Sequence, residues 1–479
     1  MTDSNPTNVL MLGWEYPPHI SGGLGTACEG LTTALAPLGV NITFVVPRLY
    51  GVERAPHMHL ISPERVLSAQ EAAEEAGTNA VAESPGRRVP LGTSQVATEP
   101  QPAESHQDDL PLLSAYATPR EYHAFRERLS RAGVLEALSS ADSFFEAGKP
   151  MAAQRAAGEA APPSAETTQH YGKNLFGDVL RFADRVAAWA QHHRPDVVHA
   201  HDWMTFPAAT RVARMHGIPL VVHVHSLDQD RSGPHGNNTI VAIESAGVRA
   251  ASRVVAVSHY TARTISDLHG VSLDRIAVVH NGVYTRPTVS AYREERPASG
   301  PVVLFLGRIT YQKGPEYFVE AAAKVLEKVP TARFVMAGSG DMLPAMEKKV
   351  NALGIAGAFE FPGFVRGAEV EALFSTADVY VMPSVSEPFG IAALEAMSCE
   401  TPVILSRQSG ASEVLQHALK VDFWDVQKLA SQIISILTYP ELRKNIVEMA
   451  RDEVSRVHWE AAAVKVRQVY DQILGESLG

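Results

Sequence analysis

The sequence predicts an α/β protein built from two doubly wound parallel sheets, and three observations lead to this prediction. Short apolar runs rich in β-branched residues recur along the chain, and stretches of helical length separate them. The runs are continuously apolar rather than alternating, which is typical of parallel strands covered on both faces. The alternation of strand and helix occurs twice, which indicates two such units. The runs are "NVLMLGW", "NITFVVP", "DVVHAHD", "LVVHVHS", "RVVAVS" and "IAVVHNG" in the first half, and "PVVLFLGR", "ARFVMAGSG", "VYVMPSV" and "TPVILS" in the second.

The bulk composition bounds the class of protein. A chain of 479 residues is too long for one ordinary core, so two or three domains are expected. A formal net charge of -11 argues against a general nucleic-acid binder, which would carry a basic field. Cys28 and Cys399 stand outside any CxxC pattern, which favours a reducing compartment. No apolar run approaches the ~18 residues that span a bilayer, and the first residues lack the features of a signal peptide, so a cytoplasmic location is expected.

The units are separated by segments without apolar periodicity. The first unit is interrupted by a long insertion, part of which is rich in Ala, Glu, Ser, Pro and Gln and is expected to be disordered. The stretch that follows the first unit is rich in proline and charge, which is typical of a linker. The predicted boundaries are an N-terminal domain over 1–283, its insertion over about 51–170 with low complexity over 68–109, a linker over 284–300, a C-terminal domain over 301–456, and a last helix over 457–479 that crosses back to the N-terminal domain.

Two loops that follow predicted strands have the composition of anion-binding sites. The turn "ISGGLG" opens a helix, and Gly22 and Gly23 would let an anion approach the free N–H groups there. The alternative is a tight turn between a strand and a helix. In the second unit, Arg308 and Lys313 lie on one loop, where two cations can hold two phosphates. The alternative for this pair is an ordinary solvated loop.

The stretch "PSVSEPFGIAALEAM" carries two carboxylates in an otherwise apolar run. Pro388 suits the first position of a helix, so Glu387 is predicted to lie just before the helix and Glu395 on its second turn. A carboxylate among apolar neighbours needs a hydrogen-bonding partner. Either a ligand supplies these partners, or Glu387 complements the helix dipole and Glu395 finds a protein partner.

Histidines recur at a spacing of two on two neighbouring predicted strands. His199 and His201 share one strand face, and so do His223 and His225, because side chains alternate along a strand. With Asp202 they form a candidate metal centre, which would make the chain a metal-dependent hydrolase. The alternative is that inward-facing histidines satisfy hydrogen bonds in the core.

Taken together and in order, the motifs resemble those of the retaining glycosyltransferases of the GT-B fold, in which two Rossmann-like domains face each other across a cleft. The resemblance is greatest to glycogen and starch synthases and to the related family 4 and family 5 glycosyltransferases. It covers nearly the whole chain outside the insertion. The motifs are "SGGLGT", "HAHDW", "VHVHSL", "VSHYT", "HNGV", "GRITYQKG", "AGSGD", "GFV" and "SEPFGIAALEAM".

The resemblance implies roles for individual residues. Arg308 and Lys313 would hold the donor diphosphate. Glu387 would accept hydrogen bonds from the hydroxyls of the donor sugar, and Glu395 from those of the ribose. The catalytic residues would be His225, Glu387, Arg308 and Lys313. The donor-binding residues would be Gly22, Gly23, Val365, Phe389, Gly390, Ile391 and Glu395, and Asp202 would line the acceptor side.

The activity implied by the resemblance is transfer of glucose from ADP-glucose or UDP-glucose to an α-1,4-glucan. The family retains the anomeric configuration, and a front-face displacement would fit because the sequence offers no convincing carboxylate nucleophile. No cofactor or metal is expected, since Arg308 and Lys313 would supply the positive charge. Ile20 stands where glycogen synthases usually carry lysine, which weakens the claim to a glucan acceptor and to ADP-glucose. The alternatives are a retaining transferase with another donor sugar or a small acceptor, the metal-dependent hydrolase, and a sugar-binding module without activity.

Overall fold

A computed structural model describes residues 6–18, 23–63, 175–233, 236–284 and 300–476. Several predictions lie outside these residues. They concern Gly22, most of the insertion with its low-complexity part at 68–109, and the linker residues 285–299.

The first sheet has seven parallel strands in the order β3-β2-β1-β4-β5-β6-β7. The chain order reverses beside β1, which is the crossover pattern of a doubly wound sheet. The strands are β1 (Thr7–Leu12), β2 (Val40–Val45), β3 (His59–Ile61), β4 (Val197–His201), β5 (Leu220–Val224), β6 (Arg253–Ala256) and β7 (Ile276–Val278).

Helices cover both faces of this sheet. In β1, Val9 and Met11 belong to one buried cluster and Leu10 and Leu12 to the other, so the continuous apolar run fills two cores. Each buried aliphatic side chain contributes about 1.5–3 kcal/mol. The helices of the first unit are α1 (Gly23–Leu35), α2 (Leu175–Ala190), α3 (Phe206–His216), α4 (Asp228–Ser232), α5 (Asn238–Ala250) and α6 (His259–His269).

The second sheet has six parallel strands in the order β10-β9-β8-β11-β12-β13. Its strands are β8 (Val302–Leu306), β9 (Arg333–Ala337), β10 (Phe359–Gly363), β11 (Val379–Met382), β12 (Val403–Ser406) and β13 (Leu419–Val421). Its helices are α7 (Pro315–Leu326), α8 (Leu343–Ala352), α9 (Ala368–Thr376), α10 (Ile391–Ser398), α11 (Ala411–Val414), α12 (Val426–Thr438) and α13 (Pro440–Val454). The predicted fold class, two doubly wound units, is confirmed.

Three strands were not predicted, because they contain no apolar run. All three are edge strands: β3, β10 and β13 have the sequences "HLI", "FEFPG" and "LKV", which are too short or too polar to be recognised as buried runs. β3 also lies inside the segment expected to be the insertion from about residue 51, so the first sheet continues ten residues beyond that point, to Ile61.

The last helix, α14 (Trp459–Glu476), packs against α1 of the first unit. Trp459 and Tyr470 are buried in the same cluster as Val9. The two passages between the units lie side by side, because the N–H of Val283 donates to the carbonyl of Val457 over 3.0 Å. No helix among the described residues is long and apolar enough to cross a membrane.

Candidate active site

The candidate site lies where the strand ends of the two units face each other. The carboxyl ends of parallel strands are the ligand-binding edge of such sheets. A Cβ placed on Gly23, at the start of α1, would lie 4.0 Å from Cδ1 of Ile391 in the second unit. A Cβ on Gly233 would lie 3.4 Å from the ring of Tyr311. The structure therefore brings the start of α1 to the start of α10, and the end of α4 to the loop that carries Arg308 and Lys313.

The loop from Ser386 to Gly390 is fixed by its backbone. Glu387 donates its N–H to the carbonyl of Gln408 over 2.9 Å and accepts from the N–H of Gly410 over 2.9 Å. The helix that follows begins at Ile391, so the prediction that Pro388 starts it is wrong. Gly390 instead ends the loop at φ +103°, a conformation that side-chain-bearing residues rarely adopt. The N–H groups that follow it form the start of α10.

Lys313 and Glu387 form an ion pair across the two loops of the second unit. The Glu387 side chain is 8% exposed and also accepts from the Ser384 hydroxyl over 3.2 Å. Arg308 donates to the buried Gln312 amide over 2.9 Å. The predicted phosphate clamp and the predicted sugar-binding carboxylate thus share one location, with the ammonium against the carboxylate.

Two other predicted donor contacts lie on the second unit. Glu395 is on the second turn of α10, as expected, and is half-buried. Val365 is half-buried and packs against the core cluster that contains Leu394, while the Phe364 ring beside it is 50% exposed. The guanidinium carbon of Arg366 lies 4.9 Å from the centre of that ring. Phe389 is buried and its carbonyl accepts from the N–H of Ala411 over 2.7 Å.

His225 follows β5, at the edge of the first sheet that faces the second unit. Its Nε2 lies 2.9 Å from Nδ1 of His201. Burial lowers the pKa of His225 to about 3, so the imidazole is neutral at physiological pH. The carboxylate of Asp202 accepts from the backbone N–H of His225 over 2.7 Å and of Ser226 over 3.3 Å. Because Asp202 is only 4% exposed, these two hydrogen bonds are shielded from water and hold the backbone of His225 in place.

The four strand histidines stack in two pairs beneath this edge. The ring centres of His199 and His201 are 4.6 Å apart, and those of His223 and His225 are 4.3 Å apart. Ligand atoms of His199, His201 and His223 lie within 4.8 Å of one another, which is the geometry of a candidate metal cluster. A hydrolytic metal needs an open position for water. Since these three side chains are 0–2% exposed, the arrangement favours the alternative of core hydrogen bonding.

The hydrogen bonds of the cluster define its tautomers. Nε2 of His201 and Nε2 of His223 are buried and have no partner among the described residues. A buried N–H without a hydrogen-bond partner is rarer than a buried acceptor without one. The proton of each of these two histidines therefore belongs on Nδ1. His201 then donates to Nε2 of His225, and His223 donates to Nε2 of His199, 3.3 Å away. His225 is left with its proton on Nδ1.

Several residues that contact the Ser386–Gly390 loop were missed in the sequence. Ser386 donates to Oδ1 of Asp230 over 2.6 Å, and the Tyr260 hydroxyl lies 2.8 Å from the same serine oxygen. Ser258 donates to the Pro388 carbonyl over 2.6 Å. Asp230 belongs to no motif noticed in the sequence. Ser258 and Tyr260 belong to "VSHYT", which gave the resemblance but no role.

Comparison with known families covers three parts of the chain. The family described as glycosyl transferases group 1 matches residues 291–453. Glycosyltransferase family 4 matches residues 148–286, and the starch synthase catalytic domain matches residues 8–92.

Three relatives illustrate the similarity. An uncharacterised glycosyltransferase of Methanocaldococcus jannaschii is 32% identical over 307 residues, which are 59% of this chain and 77% of the relative. A D-inositol 3-phosphate glycosyltransferase of Acidothermus cellulolyticus is 33% identical over 306 residues, 59% of this chain and 68% of the relative. A glycogen synthase of Mycobacterium tuberculosis is 27% identical over 471 residues, 96% of this chain and 94% of the relative.

Solved structures agree on the fold. Sucrose-phosphate synthase from Thermosynechococcus elongatus aligns with a TM-score of 0.65 at 18% identity, covering 98% of this chain and 100% of its own. The Anabaena protein HepE, in complex with UDP and glucose, aligns with a TM-score of 0.61 at 16% identity, covering 97% and 100%.

The fold and the matches define a class of enzyme, the glycosyltransferases. The chain belongs to the GT-B glycosyltransferases of the group 1, family 4 and family 5 type. The expected enzyme class, a hexosyltransferase, is confirmed by the same matches.

Proposed function

We propose that the protein is a retaining transferase that moves glucose from ADP-glucose or UDP-glucose onto an α-1,4-glucan. The observation that carries this proposal is the extent of the similarity to glycogen synthase, which runs through 96% of this chain. The similarity to the inositol phosphate glycosyltransferase covers 59%. The Anabaena protein HepE, which shares the fold, was solved with UDP and glucose, and this is consistent with a nucleotide donor of this kind.

The proposed mechanism assigns charge stabilisation to the second unit. Arg308 and Lys313 neutralise the diphosphate as it departs, and the N–H groups at the start of α10 assist. Glu387 releases Lys313 to the phosphate and accepts hydrogen bonds from the sugar hydroxyls, while Glu395 accepts from the ribose. Gly22 and Gly23 let the donor approach the first unit, and Val365 flanks the base. Because two cations are already present, we propose that transfer needs no divalent metal.

The proposed chemistry is a front-face displacement. The bond between the anomeric carbon and the phosphate oxygen breaks, and the acceptor hydroxyl oxygen bonds to that carbon on the same face. The hydroxyl proton passes to the departing phosphate oxygen. His225, neutral and with its proton on Nδ1, donates to an oxygen of the donor sugar. Asp202 is proposed to line the acceptor side while it anchors the backbone of His225.

A second candidate is transfer to a small acceptor. The 33% identity to a D-inositol 3-phosphate glycosyltransferase favours it, as does Ile20 at the position where glycogen synthases carry lysine. The cytoplasmic location expected from the sequence stays a prediction.

Nucleotide release separates these candidates. ADP-glucose, UDP-glucose and GDP-mannose are each incubated with the enzyme and with glycogen, with D-inositol 3-phosphate, or with no acceptor, in buffer containing EDTA. The proposal expects glycogen-dependent release from one glucose donor and an α-linked product by proton NMR. Release that depends on inositol phosphate supports the second candidate. Loss of release in EDTA, restored by a divalent cation, contradicts the metal-free mechanism.

A further inference from the structure

The loop that carries Glu387 is held by the first unit as well as by its own. Four polar side chains of the first unit lie against it. They attach at two points, the hydroxyl of Ser386 and the carbonyl of Pro388. Glu387 lies between these two points.

The contact at Ser386 has a defined direction. The serine hydroxyl has one proton, which goes to the Asp230 carboxylate over 2.6 Å. Tyr260 must therefore donate its own proton to Ser386 over 2.8 Å. Asp230 is 5% exposed, and its other oxygen accepts from the N–H of Leu227 over 2.8 Å, so it cannot swing away without losing a second bond.

The contact at Pro388 closes the other side of Glu387. The Ser258 hydroxyl donates to the Pro388 carbonyl over 2.6 Å, and the Thr261 hydroxyl lies 3.3 Å from the same oxygen. Both side chains are buried, at 0% and 2% exposure. A Cβ on Gly410 would lie 2.2 Å from this carbonyl oxygen and 2.5 Å from Cβ of Ser258. The two units are therefore packed too closely here for any residue larger than glycine.

A reciprocal contact orients the helix that makes these bonds. Glu413 of the second unit accepts from the N–H groups of His259 and Tyr260, over 2.9 and 2.7 Å, at the start of α6. It also pairs with Nε2 of His280 over 3.0 Å. Burial raises the pKa of Glu413, but the bonds from His280 and the two N–H groups outweigh burial, so the pKa lies below its usual value and the carboxylate stays ionised. The two units thus hold each other at the start of α6.

We propose that Tyr260 and Ser258 are positioning residues, through which the first unit fixes the Ser386–Gly390 loop and with it the carboxylate of Glu387. The proposal rests on the proposed function, because it assigns Glu387 to the donor sugar. Transfer then requires the contact between the units. Binding of the bare nucleotide depends on it much less, because Arg308, Lys313 and Glu395 lie outside the loop.

The test compares Tyr260→Phe, Ser386→Ala and the double variant. Tyr260→Phe removes one hydrogen bond, and Ser386→Ala removes that bond together with the one to Asp230. One such bond has a net worth of about 1–1.5 kcal/mol, so we expect kcat for glucose transfer to fall about tenfold in Tyr260→Phe and at least as far in Ser386→Ala. The dissociation constant of the nucleoside diphosphate, measured by calorimetry, should stay within about twofold. Because the tyrosine acts through the serine, the double variant should lose little more than Ser386→Ala alone. Unchanged kcat, an equal loss of nucleotide affinity, or additive losses would each overturn the proposal.

A matched control and a second readout keep the test decisive. Tyr439→Phe removes a phenol that is 61% exposed on the second unit and should change neither quantity. Hydrogen exchange of the peptide containing Glu387, whose N–H bonds to Gln408, should quicken in Tyr260→Phe and not in the control. If the unmodified enzyme transfers no sugar, the proposed function fails, and exchange still decides whether Tyr260 holds the loop. Equal exchange in both variants refutes the positioning role.

Discussion

The ion pair between Lys313 and Glu387 allows its structural and catalytic roles to be separated. Lys313→Met leaves Glu387, 8% exposed, with the Ser384 hydroxyl and without the ammonium. Removing one partner of a fully buried pair costs about 3–5 kcal/mol. Lys313 keeps 21% exposure, so water compensates part of this loss and we expect about 2 kcal/mol in the free energy of unfolding.

The double variant Lys313→Met, Glu387→Gln is the decisive measurement. Both replacements nearly keep the volume of the original side chains and leave no uncompensated charge. Replacing a whole buried pair in this way is often neutral, so stability should return to within about 1 kcal/mol of the unmodified protein. Catalysis should not return, because the cation that stabilises the departing phosphate is still missing. That loss is expected to be about 100-fold or more in kcat.

Urea unfolding and nucleotide release measure the two quantities on the same samples. Recovery of stability together with recovery of kcat would refute the catalytic assignment of Lys313. If the double variant is as unstable as Lys313→Met, the ion pair is not the source of the loss.

Three further predictions follow from the buried strand histidines and from two backbone positions. Burial lowers the pKa of His199 from 6.5 to about 3, so the neutral imidazole contributes its full stability above pH 6.5 and loses it as the pH falls toward 3; in His199→Gln the free energy of unfolding, measured in urea, should therefore fall less steeply below pH 6.5, by up to about 1.4 kcal/mol per pH unit, and an unchanged slope would contradict this. Asp202→Asn keeps an acceptor for the backbone and tolerates φ +59°, so it should retain most transfer activity, whereas Asp202→Ala should lose it; inactivity of the asparagine variant would show that the charge itself is needed. In Gly282→Ala the new Cβ would lie 2.3 Å from the backbone nitrogen of Trp459, so thermal unfolding should shift down by several degrees, and an unchanged melting temperature would contradict this packing.

The central strands could be predicted from sequence because burial on both faces leaves a readable pattern. β8 is apolar at every position and β1 is apolar from Val9 onward, while the edge strands β3 and β13 are three residues long and partly exposed. Unlike the equally short β7, which continues into the apolar run "IAVVHNG", these two strands belong to no longer apolar run. Their place in the sheet comes from pairing with a neighbour, which is a tertiary effect.

The candidate site could be predicted only in part, and the division has a physical reason. Motif residues such as Lys313 and Glu387 stand out because charge amid glycine and apolar residues is unusual. Asp230 is one acidic residue in a polar stretch, and it becomes informative only when the fold sets it 2.6 Å from a serine 156 positions away. The start of helix α10 was misplaced because Pro388 suits a first helical position. The bridge between Glu387 and Ser409 and the positive φ of Gly390 instead delay the helix until Ile391.

The return of α14 to the first unit has a consequence for synthesis on the ribosome. The core beneath β1 includes Trp459, Val466 and Tyr470, and the hydroxyl of Tyr470 bonds to His199, 271 positions earlier. All strands of the second sheet, from β8 to β13, leave the ribosome before these residues do. The half of the molecule that is translated second can therefore complete its folding first. The half translated first keeps the apolar face of α1 uncovered until α14 emerges and packs against it.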